Sequence, residues 1–319
     1  MSNPEFALDV HLASPEEQDA AYRNVHEFWG RGQPLEEYLR WRHASPKHRR
    51  ASWYVGCVGG EVVTSLGCWP VVFFRGGQFV AGFQIGAVHT RPEFRGQGLA
   101  PILIRAVEQL RSGQGDELAL LYSDIAPAYY ARLGYLVCPA MEATLTLSET
   151  AAASFSVRSV DPEAEASLLR EMAARAAEQQ ALTIRCEETR WQQLLDQSPE
   201  DEFLLVQAVQ GETGDLIAGW LRVRETDEPG AVRLMDWAVT PADALPKVLA
   251  AAMSQRGWNG ISGWLPGQLT GSCLLTAGLA GQPVPRQRQI TMIHPLREGD
   301  QLTPEEIAAA GRFVEIDHV

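Results

Sequence analysis

The stretch VHTRPEFRGQGLAPILIRAV, residues 88–107, decides how this chain is read. Val88, His89 and Thr90 end a β-forming run. Arg95-Gly96-Gln97-Gly98 makes a glycine-rich turn, and Leu99, Ile102, Leu103, Ala106 and Leu110 then recur at helical spacing. Gly96 and Gly98 admit backbone conformations that other residues avoid, so consecutive N–H groups can converge on one concavity that suits an anion. The helix that follows adds unsatisfied N–H groups and the positive end of its dipole. Arg95 can add charge-assisted hydrogen bonds, and Pro101 falls in the first helical turn, where a missing N–H costs little. A strand–turn–helix of this kind grips a phosphate or a diphosphate. The pattern GxxxxGK[ST] is absent, and Pro101 stands where a Rossmann turn needs its third glycine. By itself, GxG after a strand is also compatible with a plain tight turn.

Working outward, residues 6–13 alternate as a half-buried strand does, and Ser14-Pro15-Glu16-Glu17 is a helix start. Helices are expected over about 15–29 and 34–43. Three antiparallel strands, with turns at Gly59-Gly60 and Gly76-Gly77, fill 52–90. After the helix that ends near Leu110 come a buried strand (ELALLYSDI), a short helix stopped by Gly134 (APAYYARLG) and a last strand region (YLVCPAMEATLTL). The second half repeats this order. ASFSVRSV leads into a helix, CEETRWQQLLDQSPEDEFLLVQAV parallels LEEYLRWRHASPKHRRASWYVGCV, and strands, a helix and further strands follow to QRQITMIHPL. Where the first copy has RPEFRGQGLA, the second has TPADALPKV, with no Arg and no glycine pair. SETAAAS, 148–154, reads as the junction. The expectation is two tandem α/β domains with mixed, mostly antiparallel sheets flanked by helices. Residues 1–148 form the first, and 155–319 form a degenerate second copy without the phosphate-binding turn.

The paired stretches RPEFRGQGLAPIL and LLYSDIAPAYYARLGY resemble the GNAT acyltransferase superfamily over roughly residues 6–145. A GNAT domain followed by a degenerate copy is similar to the enhanced-intracellular-survival acetyltransferases, and LLYSDIAPAYYARLGY also looks like the free-lysine acetyltransferases of fungi. The survival-type enzymes carry a third, sterol-carrier-like domain, for which this chain is too short. The resemblance implies acetyl-CoA as co-substrate. Its diphosphate would lie on Arg95, Gly96, Gln97, Gly98, Leu99 and Ala100, with the family's first Arg/Gln falling on Arg95 or Gln97 according to register. The resemblance also implies that Val88, His89 and Thr90 hydrogen-bond the pantetheine arm, with a backbone N–H near Val88 polarising the thioester. Tyr130, four residues before Gly134, matches the family's catalytic Tyr and would protonate the leaving thiolate. A core aromatic with a satisfied hydroxyl is the plain alternative. Tyr129 points about 100° away around the helix.

The base is not readable: His89, Asp124 and Glu37 are candidates, and many such enzymes use water. Asp317, His318 and the terminal carboxylate are candidates to reach a cleft between the halves, against the alternative of a frayed end. Trp29, Trp41 and Trp53 could line an amine pocket or simply pack in the core. Ser123 and the histidines make no triad.

The 319 residues suit two domains of ~150 each. The net charge of −13 argues against a nucleic-acid footprint and suits a cationic acceptor, such as a lysine-like amine, polyamine or aminoglycoside, or simply solubility. Five scattered cysteines form no metal spacing, no run is long enough to span a membrane, and the N-terminus MSNPEFALDV does not read as a secretory signal. The expectation is a cytoplasmic N-acetyltransferase that moves an acetyl group from acetyl-CoA to a primary amine of a small molecule or lysine-like acceptor by direct attack. It needs no metal, nucleic acid or membrane, and its oligomeric state is unread. A non-catalytic acyl-CoA-sensing or partner-binding module is the rival.

Overall fold

A computed structural model describes residues 7–30, 32–148, 155–208 and 218–314. The proposed junction at 149–154, together with Asp317 and His318, lies outside the described residues. The first half runs β1 (Asp9–Leu12), α1 (Pro15–Trp29), α2 (Leu35–Ala44), α3 (Pro46–Arg49), β2 (Ser52–Val58), β3 (Glu61–Arg75), β4 (Gln78–Thr90), α4 (Leu99–Gly113), β5 (Leu118–Ser123), α5 (Ala128–Ala131), β6 (Leu136–Val137) and β7 (Met141–Leu147). The second runs β8 (Phe155–Val160), α6 (Ala166–Glu178), β9 (Leu182–Ile184), α7 (Glu188–Gln197), β10 (Glu202–Ala208), β11 (Ala218–Glu225) and β12 (Ala231–Thr240). It continues through α8 (Leu245–Arg256), β13 (Gly260–Leu265), α9 (Gly271–Thr276), β14 (Leu279–Ala280), β15 (Val284–Pro285), β16 (Ile290–Pro295) and α10 (Pro304–Ala310).

Local chemistry explains the element ends. Ser14 caps α1 in a capping box with Glu17, and Pro15 fills the first helical turn. Two sheets result, with strand orders β1-β2-β3-β4-β5-β16-β6 and β14-β7-β13-β12-β11-β10-β8. In each sheet all the pairs are antiparallel except one, β4 with β5 and β12 with β13. The internal repeat is therefore structural as well as sequential. Successive residues of β2 serve opposite faces. Trp53 and Val55 join Tyr22, Val25 and Tyr38 under α1 and α2, while Tyr54 joins Leu103, Ile104 and Val107 under α4. No helix among the described residues is long and apolar enough to cross a membrane.

The sheets do not divide at the junction between the halves. Met141–Leu147, expected to close the first sheet, pairs instead with β13 of the second. Ile290–Pro295, expected to close the second, lies antiparallel to β5 of the first, from Ile290 opposite Ser123 to Pro295 opposite Leu118. The reason is physical: alternation makes a segment a strand, but either sheet offers an equivalent open edge. The exchange also brings His294 against the first half. Gly134, at φ +104, has no Cβ to meet the His294 imidazole, which would stand 2.6 Å from it. The imidazole's Nδ1 lies 3.3 Å from the buried Glu108 carboxylate. A second tie runs from the far end of β3. There β9 pairs with Phe73–Arg75, and Arg75 binds Asp300 and Glu306, each at 2.6 Å.

A chain cut at residue 148 leaves the outer edge of β5, and the apolar faces around it, without β16. Such a fragment is expected to lack a cooperative urea transition, measured by tryptophan fluorescence. A sigmoidal transition with a slope appropriate to ~140 ordered residues would refute this dependence.

Candidate active site

The site begins where two strands part. β4 pairs in parallel with β5 only from Gly82–Leu118 to Ile85–Leu121, although both strands run on. On its other side β4 stays paired with β3 as far as Thr90. One edge of Gly86–Thr90 thus has no strand beside it, and a slot opens between β4 and β5. A bulge sits at the same level. Gly86 faces Gly67 and His89 faces Ser65, so one extra residue is inserted on β4, and Ala87 takes φ +51. The bulge changes which face the side chains serve: Ala87 packs on the aromatic cluster under α1 and α2, and Val88 on the cluster under α4. The second half repeats the plan. β12 and β13 pair over four residues, and a bulge follows between Leu234 and Asp236.

After Thr90 the chain makes a short 3-10 turn, Pro92–Phe94, and reaches the glycines. Gly96 and Gly98 lie at φ +76 and +77, and a Cβ on either would meet nothing within 4 Å. Gly98 caps α4 in the left-handed conformation and offers no side-chain hydrogen bond. The backbone N–H groups of Gly96, Gln97, Gly98, Leu99 and Ala100 have no acceptor among the described residues, and Ile102 N is the next to bond, to Gly98 O at 3.2 Å. These five donors sit at the positive end of a fifteen-residue helix. The Gln97 Oε1 is buried there without a partner. The turn therefore fits a diphosphate by its own donor set. Arg95 does not point freely: its Nε donates to Thr90 O at 2.9 Å and its guanidinium lies over Phe28. Among the described residues the second half has no such cradle. The first turn of α8 is buried at Leu245, Pro246 and Val248, and Ala242 N donates to Gln179.

Tyr130 sits on α5, 8% exposed, edge-on to Tyr129 and Tyr135, in the cluster that receives Val88. Burial raises its hydroxyl far above the usual phenol range, with Tyr129 and Asp124 adding to the shift. It is therefore protonated at neutral pH. His89 is buried against Phe28, and neither ring nitrogen has a hydrogen-bond partner. Burial, then the Arg95 charge, lowers it to about 4, so it is neutral at pH 7 but a weak base. Asp124 is exposed and accepts from Gln289 N. Glu37 is exposed in the first turn of α2. Ser123 is turned onto its own loop, its Oγ donating to Ile125 O. Trp53 is buried in the core, while Trp29 and Trp41 are part-exposed. The structure thus brings Val88 to one cluster with Tyr130, and His89 and Thr90 to Arg95 at the mouth of the turn. The bulge and the parting of the strands were missed by sequence reasoning; the GAV run at 86–88, a glycine within a strand, was the available signal.

A family model described as the acetyltransferase (GNAT) domain matches residues 9–138. No curated protein matches. A probable N-acyltransferase from Enterococcus faecalis V583 superposes with a TM-score of 0.69 at 14% identity, covering 91% of this chain and 73% of that one. A GCN5-related N-acetyltransferase from Kribbella flavida gives 0.66 at 18% identity, covering 91% and 72%. Eis1 from Mycobacterium abscessus gives 0.62 at 15%, covering 91% and 74%. At these identities the likeness is one of fold.

A neutral buried His89 has a consequence for acid stability. Its folded value of about 4 lies below the ordinary 6.5, so the unfolded chain takes up the proton first as pH falls. Its contribution is complete above pH 6.5 and is lost as pH falls from 6.5 to 4, by up to ~1.4 kcal/mol per pH unit. Urea midpoints across that window should fall less steeply for His89→Gln than for the parent chain. Parallel curves would show that His89 is not held neutral.

Proposed function

We propose, from the GNAT domain model that matches residues 9–138 and the repeated fold, that the chain is a tandem GNAT protein and an acyl-CoA-dependent N-acetyltransferase. In this reading it moves an acetyl group from acetyl-CoA to a primary amine of a small molecule by direct attack. The observation that carries the reading is the run of five unpaired N–H groups from Gly96 to Ala100, placed beside the slot between β4 and β5.

Acetyl-CoA supplies the activated thioester. The N–H groups of residues 96–100 bind its diphosphate, which the helix dipole favours, and Arg95, Gln97 and Leu99 frame the turn. The free edge of Val88, His89 and Thr90 hydrogen-bonds the pantetheine arm in the manner of an added strand. A backbone N–H at the bulge, near Val88, polarises the carbonyl that the amine nitrogen attacks. As the C–N bond forms and the C–S bond breaks, Tyr130 holds a proton at Oη for the leaving sulfur. Because burial holds that proton tightly, its contribution is a hydrogen bond that strengthens as thiolate charge grows. The amine proton passes to water, since His89 is too weak a base at neutral pH.

Release of free thiol on mixing the protein, acetyl-CoA and a panel of amines tests the reading. Tyr130→Phe is expected to lower kcat by roughly 10²-fold with CoA affinity unchanged. Gly98→Ala, which forces a side chain onto a left-handed residue, is expected to weaken CoA binding about tenfold, in line with a cost of ~1–2 kcal/mol. CoA bound without thiol release for any amine would favour a sensing role. No affinity for CoA would remove both.

A further inference from the structure

The face of the first sheet covered by α1 and α2 holds a cationic patch that no carboxylate among the described residues neutralises. Arg42, on α2, is 4% exposed. Its Nε donates to Tyr38 Oη at 2.7 Å, and its Nη1 lies 2.9 Å from His48 Nε2. The rings of Tyr22, Trp29, Tyr38 and Trp41 surround the guanidinium at 5.1–6.0 Å. Lys47, on α3, adds a second cation: burial, then the Arg42 charge, lowers its ammonium to about 8. Burial, then Arg42 and Lys47, hold His48 neutral, at about 3. Among the described residues neither Arg42 nor Lys47 has an ion-pair partner, although Asp19 stands nearby on His43. The second half treats a comparably buried arginine differently, pairing Arg222 with Asp201 at 2.6 Å. In a chain of net charge −13, carboxylates are not scarce. Two part- or fully buried cations side by side carry a desolvation and repulsion penalty that an incoming anion would relieve.

The patch lies on the slot's other face. Ala87, at the bulge, packs on the Tyr22–Tyr38–Trp53–Trp69 cluster, of which Tyr22 and Tyr38 face Arg42, whereas Val88 packs on the α4 side with Tyr130. The end of α1 joins the two places, with Phe28 over His89 at 5.5 Å and Trp29 near Arg42 at 6.0 Å.

We propose that Arg42 and Lys47 recognise an anionic group, carboxylate or phosphate, carried by the amine acceptor. This rests on the acetyl-transfer reading above and names its substrate class. The aromatic walls enclose the acceptor's carbon skeleton, and the anion sets the amine at the slot. Polyamines and aminoglycosides, which the overall charge suggested, would instead bring cations against cations.

The test is a thiol-release panel that pairs amino acids with their decarboxylated amines, and amino-alcohol or amino-sugar phosphates with their dephosphorylated forms. At least one anionic series is expected to exceed its uncharged counterparts tenfold or more in kcat/KM, and the preferred series identifies the anion. Lys47→Met and Arg42→Met should each bring that ratio toward one, mainly through KM, with CoA affinity retained. Lys47, on a short surface helix, keeps the test open if the Arg42 variant does not fold. Equal or better use of the uncharged or polycationic amines would overturn the assignment, as would a ratio unchanged in the Lys47 variant. CoA binding with no acetylation of any amine would instead defeat the transfer reading itself, and this assignment with it.

Discussion

The parallel ladder between β4 and β5 lasts four residues and then stops, and the rest of the site depends on that stop. Had the strands stayed paired, the edge of Gly86–Thr90 would be filled by backbone and nothing could lie between them. The bulge at Ala87 accompanies the parting and directs neighbouring side chains to opposite faces. One face then holds Tyr130 and the glycine turn, and the other the Arg42 box. A single irregularity in one strand therefore separates neighbouring side chains onto two faces of the sheet.

The second half serves the first more intimately than a tandem arrangement requires. It lends β16 to the edge of β5 and β9 to the end of β3, and takes β7 in return. The exchange makes Gly134 a shared position, since its missing Cβ is what lets His294 pack beside it. Loss of the glycine turn in the second half follows the same logic. The first turn of α8 is packed in apolar core, with Leu245 and Val248 fully buried, so its N-terminus serves packing and not an anion.

Local electrostatics run against the bulk charge. The chain is acidic overall, yet the backbone N–H groups at 96–100 have no acceptor among the described residues, and Arg42 is buried among aromatic rings without an ion-pair partner among those residues. Burial keeps His89 and His48 neutral at the working pH. Neutral imidazoles can sit beside Arg95 and Arg42 without adding to their repulsion, which is how these cations are accommodated in a largely aromatic wall.

The sequence by itself determined the elements, the repeat and the anion turn. Gly96 and Gly98 were legible because the backbone they adopt is one that few other residues accept. Leu99 and Leu103 were legible because helical spacing puts them on one face, but the same spacing took in Ile102 and Leu110, which are exposed, and passed over the buried Ile104 and Val107. The tyrosine pair before Gly134 was legible through its spacing and a family likeness. Pairing partners were not legible: β7 and β16 alternate equally well, and which open edge each fills is decided by the assembled sheets. Nor was the Arg42 box, whose members at 22, 29, 38, 41 and 47–48 are ordinary aromatic and basic residues along two helices and a turn. Only tertiary packing gathers them around Arg42 and leaves its guanidinium almost without water, because desolvation depends on every neighbour at once.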